Sequence, residues 1–257
     1  MGEELNGAYL NTHGLLGDRA YAIIDLETGK VASAKNPKKW PDLFHFRASY
    51  IEPPQPGREP PPVRIIFPDG ANRTSNNAEI HEMLSRHFGR KVKLAKTSSS
   101  PSLEEYWPNI EGLAYRETVT DESMPEGTFF DCAVTHILST DTLDTLRSAY
   151  LQGRFEVRRF RPNIVVQLNE TREGFVENGW IGDTLALGDV RLSVTGACAR
   201  CVMTTLSQGD LPQDLGILKT AAKQNAANVG VYASVAKGGS VRRGDHVALE
   251  QRAVAVS

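Results

Sequence analysis

The sequence predicts a mainly β chain, a β-rich α+β fold whose short strands curl into closed or nearly closed barrels. Three observations carry this prediction. Short β-branched and aromatic runs recur along the chain, glycines and Gly-Asp pairs punctuate them as turns, and only a few segments switch to a helical period. No tandem repeat of fixed period is present. Many strands, glycine turns and few helices are the pattern of a sheet that closes on itself to hide its edges.

Taken in order, Tyr21–Asp25 and Lys30–Ser33 flank Glu27-Thr28-Gly29 and read as a hairpin. The proline-rich stretch from Pro53 to Pro62 must be a loop. Val63–Phe67 alternates like a strand, and Asp69-Gly70 turns the chain. Ile80, Leu84 and Phe88 then fall one helical turn apart, so residues 77–88 form a short amphipathic helix, followed by a strand at Val92–Ala95. The stretch Thr97–Ser102 is the expected boundary between two modules, 1–100 and 101–257.

In the second module Ser139-Thr140-Asp141 caps a helix carrying Leu143, Leu146 and Tyr150. Strands are expected at Asn163–Leu168, Thr184–Leu187, Val190–Val194, Val202–Thr205, Val229–Val235 and Val247–Leu249, with turns at Gly188-Asp189, Gly238-Gly239 and Gly244-Asp245. A short helix near Leu215–Ala222 interrupts them.

Bulk composition narrows the function classes. At 257 residues, 40% hydrophobic and 23% charged, the chain can bury a real core and fits one large or two modest domains of roughly 150 residues. A net charge of -2 and no long basic block argue against nucleic acid as a partner. No apolar run reaches the roughly 20 residues that span a bilayer. The first residues lack the basic and apolar regions of a signal peptide, and three cysteines make no disulfide framework. These features predict a cytoplasmic protein.

Four groups of residues could carry chemistry. Cys198-Ala199-Arg200-Cys201 reads equally as buried packing, a redox dithiol, half of a zinc site, or one thiolate on a soft or high-valent metal. A dithiol favours a helix N-terminus, whereas Val202-Met203-Thr204-Thr205 reads as a strand; for zinc, Cys132 and His136 form no strong second pair. Arg159-Phe160-Arg161-Pro162-Asn163 sends two arginines into a strand, either as forks for phosphate or as an exposed edge pair. Gly17-Asp18-Arg19 is a tight turn that can aim Arg19 inward or pair Asp18 with Arg19. Ser139-Thr140 lies where free backbone N–H groups could bind an anion or form a plain cap.

In this order, Gly17-Asp18-Arg19 with Tyr21–Asp25, Arg159-Phe160-Arg161-Pro162-Asn163, Trp180 with Gly182, and Cys198-Ala199-Arg200-Cys201-Val202-Met203-Thr204-Thr205 resemble the molybdenum-cofactor-sulfurase C-terminal (MOSC) family. The branch they look most like holds the amidoxime-reducing component and its bacterial relatives. The resemblance implies a MOSC-type β-barrel over residues 101–257, preceded by a smaller N-terminal barrel-like domain over residues 1–100. It implies a molybdenum–pterin cofactor, with Cys201 as metal ligand and catalytic centre. Arg19, Ser139, Thr140, Arg161, Asn163 and Arg200 would hold the pterin and its phosphate. The implied reaction is reduction of a small N-hydroxylated substrate by oxygen-atom transfer. The sequence has neither a haem-attachment motif nor four cysteines for an iron–sulfur site, so an external electron-transfer protein is implied. Some MOSC proteins are instead sulfur carriers, which need only a reactive thiol. The family's first strand carries a Lys-Ser pair upstream of the glycine matched by Gly2; starting at Met1, this chain is expected to lack that strand and to hold cofactor less well.

Overall fold

The computed structural model describes residues 4–96, 101–125 and 128–250. Nine strands and one helix come first: β1 (Gly7–Asn11), β2 (Gly14–Leu15), β3 (Ala22–Asp25), β4 (Arg47–Tyr50), β5 (Val63–Ile66), β6 (Asn72–Thr74), α1 (Ile80–Phe88), β7 (Val92–Ala95), β8 (Ser102–Trp107) and β9 (Thr118–Ser123). They make small sheets, β4-β5-β6, β3-β7 and β8-β9, that are not closed into a barrel. Helix α1 ends where Gly89 takes the left-handed conformation, and it buries Ile80 and Leu84. Trp40, Phe46, Ile65, Phe67 and Val92 complete that core. The expected hairpin after Asp25 survives as a turn with one bridge, Ile24 to Val31, because Val31 donates its N–H to Ser102 of the next sheet.

The second half contains β10 (Thr135–Ser139), α2 (Thr140–Ala149), α3 (Val157–Phe160), β11 (Ile164–Val166), β12 (Thr184–Leu187), β13 (Val190–Ala199), α4 (Leu215–Asn225), β14 (Asn228–Lys237), β15 (Gly239–Arg242) and β16 (Val247–Glu250). Six of these strands form one mixed sheet in the order β11-β10-β14-β13-β12-β16. Register shifts between β13 and β14 at Arg191/Leu192, Val194/Gly196 and Ala197/Ala199 bend the two longest strands. Bulges of this kind increase local twist, and the sheet curls into a half-barrel. Leu10, Ile137, Leu192, Val194 and Val231 pack inside the curl. On its other side α2 and α4 bury Leu138, Leu143, Leu146, Phe155, Phe160 and Ile217. The molecule is therefore a mixed α+β fold.

Contacts cross residue 100 in both directions. Strand β1 pairs with β15, Gly7 opposite Arg242 and Leu10 opposite Gly239. Leu103 on β8 bridges in parallel to Val31. Of the expected boundary stretch, residues 97–100 lie outside the described residues.

Two local expectations need correction, and both concern the site. Val202–Thr205 is a 3-10 turn, not a strand. The hydroxyl of Thr204 donates to Cys201 O at 3.0 Å and that of Thr205 to Val202 O at 2.7 Å. These local bonds satisfy carbonyls that a strand would have offered to a neighbour. Arg159 and Arg161 likewise do not enter a strand: Val157–Phe160 is a helical turn, and Arg161 ends it at φ 52°.

Candidate functional site

Cys201 caps the 3-10 turn and is 7% exposed. The turn is seated between the two halves, because Met203 and Leu206 pack against the first-half core. Burial pushes the Cys201 thiol up to about 11, with Glu105 adding to the shift and Lys35 and Arg200 opposing it. Lys35 is buried and donates to Glu105 at 2.7 Å, and its Nζ is 3.2 Å from Asp131. Burial works against that charge, but Cys201, Asp131 and Glu105 together hold the Lys35 ammonium above the ordinary lysine range. Asp131 is the complementary case: burial favours its neutral form, and Lys35 and Arg19 outweigh that and keep it ionised.

Three arginines complete the group. Arg19 reaches Asp131 at 3.7 Å and lies over the Phe130 ring. Its turn depends on Gly17 at φ 84°, where a Cβ would come within 2.7 Å of Pro54 and 2.9 Å of Tyr50. Arg161 is densely surrounded by protein, and burial with the like charge of Arg19 pushes it down to about 10. Its guanidinium makes no hydrogen bond or ion pair among the described residues. Arg200 donates to Cys198 Sγ at 2.8 Å and to Phe160 O at 2.9 Å, while its buried Nε has no partner. Arg19 and Arg161 both adopt the left-handed conformation, at φ 51° and 52°. Non-glycine residues there cost about 1–2 kcal/mol each, and such outliers cluster at functional sites.

Cys198 packs and also accepts from Arg200. It is fully buried; burial opposes its ionisation, yet Arg200 and His136 outweigh it and lower the thiol. Asn163 joins the group through its partners: its amide donates to Asp18 at 2.8 Å and accepts from His136 N at 2.9 Å. Ser139 and Thr140 stand apart. Ser139 accepts from Thr142 N, and the carboxylate of Glu177 takes the Ser139 N–H and the Thr142 hydroxyl. Thr140 Oγ1 donates to Asp141. The helix N-terminus thus already has an internal carboxylate. Beside Arg19 opens a cavity of about 470 Å³, with Asp18 and Arg19 on its polar side and Leu15, Leu16, Phe129 and Phe130 among its apolar walls.

Among the described residues, no three His, Cys, Asp or Glu side chains gather around a point that could hold a metal ion. The site is two buried thiols, Cys198 and Cys201, set among Lys35, Arg200 and the carboxylates Glu105 and Asp131. Residues 124–248, which contain Asp131, Arg161, Arg200 and Cys201, match the MOSC domain family. The chain carries a MOSC domain over these residues. Mitochondrial amidoxime reducing component 2 of Rattus norvegicus is 26% identical over 254 residues, covering 91% of this MOSC protein and 73% of its own length. Molybdenum cofactor sulfurase of Bos taurus is 24% identical over 247 residues, covering 87% of this chain and 27% of its own length. Among solved structures, YiiM from Geobacillus stearothermophilus aligns at TM-score 0.37 and 17% identity over 48% of this chain and 57% of that one.

Sequence reasoning missed three charged residues of this candidate site: Lys35, Glu105 and Asp131. No motif joins them, since they come from a loop, from β8 and from the segment before β10. One available signal was alternation in Ser102–Trp107, which buries Leu103 and Glu105 on the same face and so asks for a cation opposite Glu105. Among the described residues no helix is long and apolar enough to cross a membrane.

Proposed function

We propose that this MOSC protein binds a molybdenum–pterin cofactor through Cys201 and reduces N-hydroxylated substrates, with electrons from a separate carrier protein. The observation that supports this most is the site's balance of donors: of two buried thiols, Cys198 already accepts from Arg200, while Cys201 lies near Lys35 and Arg200 without such a bond, and the Arg161 guanidinium and Arg200 Nε make no hydrogen bond among the described residues. One sulfur donor fits a metal that arrives with other ligands of its own. Unspent guanidinium N–H groups fit phosphate oxygens. When bound, the cofactor would supply the remaining metal ligands and the two-electron chemistry. Converting N–OH to N–H then consumes two electrons and two protons and releases water.

The chain's own residues have separate tasks in this reading. Burial favours the neutral Cys201 thiol, which would have to give up its proton to hold the metal. Arg161 and Arg200 hold the anionic part of the cofactor, and Asn163 fixes the Asp18-Arg19 turn through its 2.8 Å bond to Asp18. The cavity beside Arg19 falls in the size range of small-molecule sites and is the proposed room for substrate. Residues 1–100 and 101–257 are proposed as the two units that meet at the site.

The test compares Cys201→Ala and Cys198→Ala in protein made with ample cofactor supply. We expect Cys201→Ala to lose molybdenum and N-reductive activity while its circular dichroism stays native. Cys198→Ala, which frees one N–H of Arg200, should lower molybdenum content without abolishing it. Equal loss in both variants, or stoichiometric zinc and no molybdenum in the wild type, overturns the proposal. A second reading, a sulfur carrier without redox chemistry, draws support from the Cys198 thiol held by Arg200 and from the match to a cofactor sulfurase. It predicts persulfide on the wild-type chain in the absence of molybdenum.

A further inference from the structure

We infer that the helical turn α3 is a clamp that fixes the Cys201 loop from both sides, with Arg159 as its positioning residue. Arg159 is 1% exposed and heads the largest fully buried side chains. No carboxylate receives its hydrogen bonds. Nε donates to Arg154 O at 2.9 Å, Nη1 to Thr204 O at 3.1 Å and Leu206 O at 3.2 Å, and Nη2 to Pro212 O at 2.8 Å. The guanidinium therefore ties together the end of the 3-10 turn and the loop that follows it. A rigid planar fork can hold several carbonyls at once, which a lysine ammonium does less well.

The same short turn also grips the approach to Cys201. Phe160 O accepts from Arg200 Nη2 at 2.9 Å, and the Phe160 ring lies 6.0 Å from that guanidinium. Cys201 is thus bracketed by a contact at residue 200 and a contact at residue 204, both made by adjacent residues of α3. Outside the clamp, Arg154 and Arg158 pair with Asp210 at 2.8 and 2.6 Å and fasten the far end of the loop at the surface. Because Arg159 reads main-chain carbonyls, its grip does not depend on the side chains of Thr204, Leu206 or Pro212. The inference rests on the proposed function only in taking Cys201 as the group that matters; it holds whether that thiol ligates metal or carries sulfur.

The test uses the full chain as Arg159→Met and Arg159→Lys. Iodoacetamide labelling is followed at each cysteine by peptide mass spectrometry, and amide exchange is compared for residues 202–211 and for β14. Lost bonds to a buried charged group should open the loop at least about tenfold more often in Arg159→Met. We expect that rise at Cys201 and residues 202–211, with Cys198 and β14 unchanged, an intermediate rise in Arg159→Lys, and a lower molybdenum content in the same order. An unchanged Cys201 rate overturns the inference, as does a rise shared equally by Cys198 and β14, which would mark plain loss of global stability. If Arg159→Met does not fold, Arg159→Lys decides by the same pattern. A wild type without molybdenum would count against the proposed cofactor and leave the labelling result to judge the clamp.

Discussion

Arg161 concentrates the site's physical tension. It holds a left-handed backbone, follows directly on a helical turn, and presents a guanidinium that feels the charges of Asp18 and Asp131 but makes no hydrogen bond among the described residues. Removing its side chain separates two effects that are usually confounded. In Arg161→Gly the backbone strain is relieved, since glycine occupies this region without the Cβ penalty. The chain should then melt at or above the wild-type temperature. Yet each charge-assisted bond to a bound anion is worth about 1.5–3 kcal/mol, so cofactor retention should fall about tenfold to a hundredfold. Thermal melts and molybdenum content on one preparation check both halves of this expectation. Unchanged molybdenum would assign the guanidinium to structure alone.

At the scale of elements, Asp25 shows how a strand end is pinned. Its buried carboxylate accepts from Glu27 N at 3.1 Å and Arg90 at 2.7 Å and lies 3.2 Å from Lys39. Burial pushes its pKa up, but the Glu27 N–H, Lys39 and Arg90 outweigh burial and hold it below the ordinary aspartate value of 3.8. A depressed folded-state pKa contributes stability that is present above the unfolded value and is lost as pH falls through the folded one. Acid unfolding should therefore steepen below the ordinary aspartate range, and Asp25→Asn should flatten that limb while lowering stability at neutral pH. A denaturation series against pH in both proteins checks it; identical acid limbs would remove Asp25 from the account. Elements of this kind were legible in the sequence where one period ruled. Val92–Ala95 and Thr184–Leu187 are strands as expected, and Ile80, Leu84 and Phe88 lie on a helix. Strand β10 was hidden because all five of its residues are buried, polar Thr135, His136 and Ser139 included, and so leave no alternation to read. The β-branched run at Val202–Thr205 misled because threonine hydroxyls can close a turn as readily as threonine side chains can line a sheet. Arg19, Arg161, Arg200 and Cys201 were legible because each sits in a contiguous motif. Lys35, Glu105 and Asp131 were not, because their meeting is made by the fold.

For the whole molecule, the site and the main core draw on both ends of the chain. Arg19 and Lys35 come from the first hundred residues, and Asp131, Arg161, Arg200 and Cys201 from the rest. Leu10 on β1 is fully buried in the core of the half-barrel, and Leu15 packs against it. A fragment of residues 101–257 would lose the β1 ladder to β15, both leucines, and the Val31 partner of Leu103. Each fully buried leucine contributes about 1.5–3 kcal/mol, and an exposed β15 edge would invite association with other chains. The fragment should therefore melt well below the whole chain, or aggregate, and should retain no molybdenum. Co-expressing residues 1–100 should restore both properties, since the missing strand, leucines and cations would be supplied again in trans. Thermal melting, light scattering and metal content of the fragment with and without its partner segment measure this. A fragment that alone matches the whole chain in melting temperature and in metal content would show that β1, Arg19 and Lys35 are dispensable, and that the site is built entirely from residues after 100.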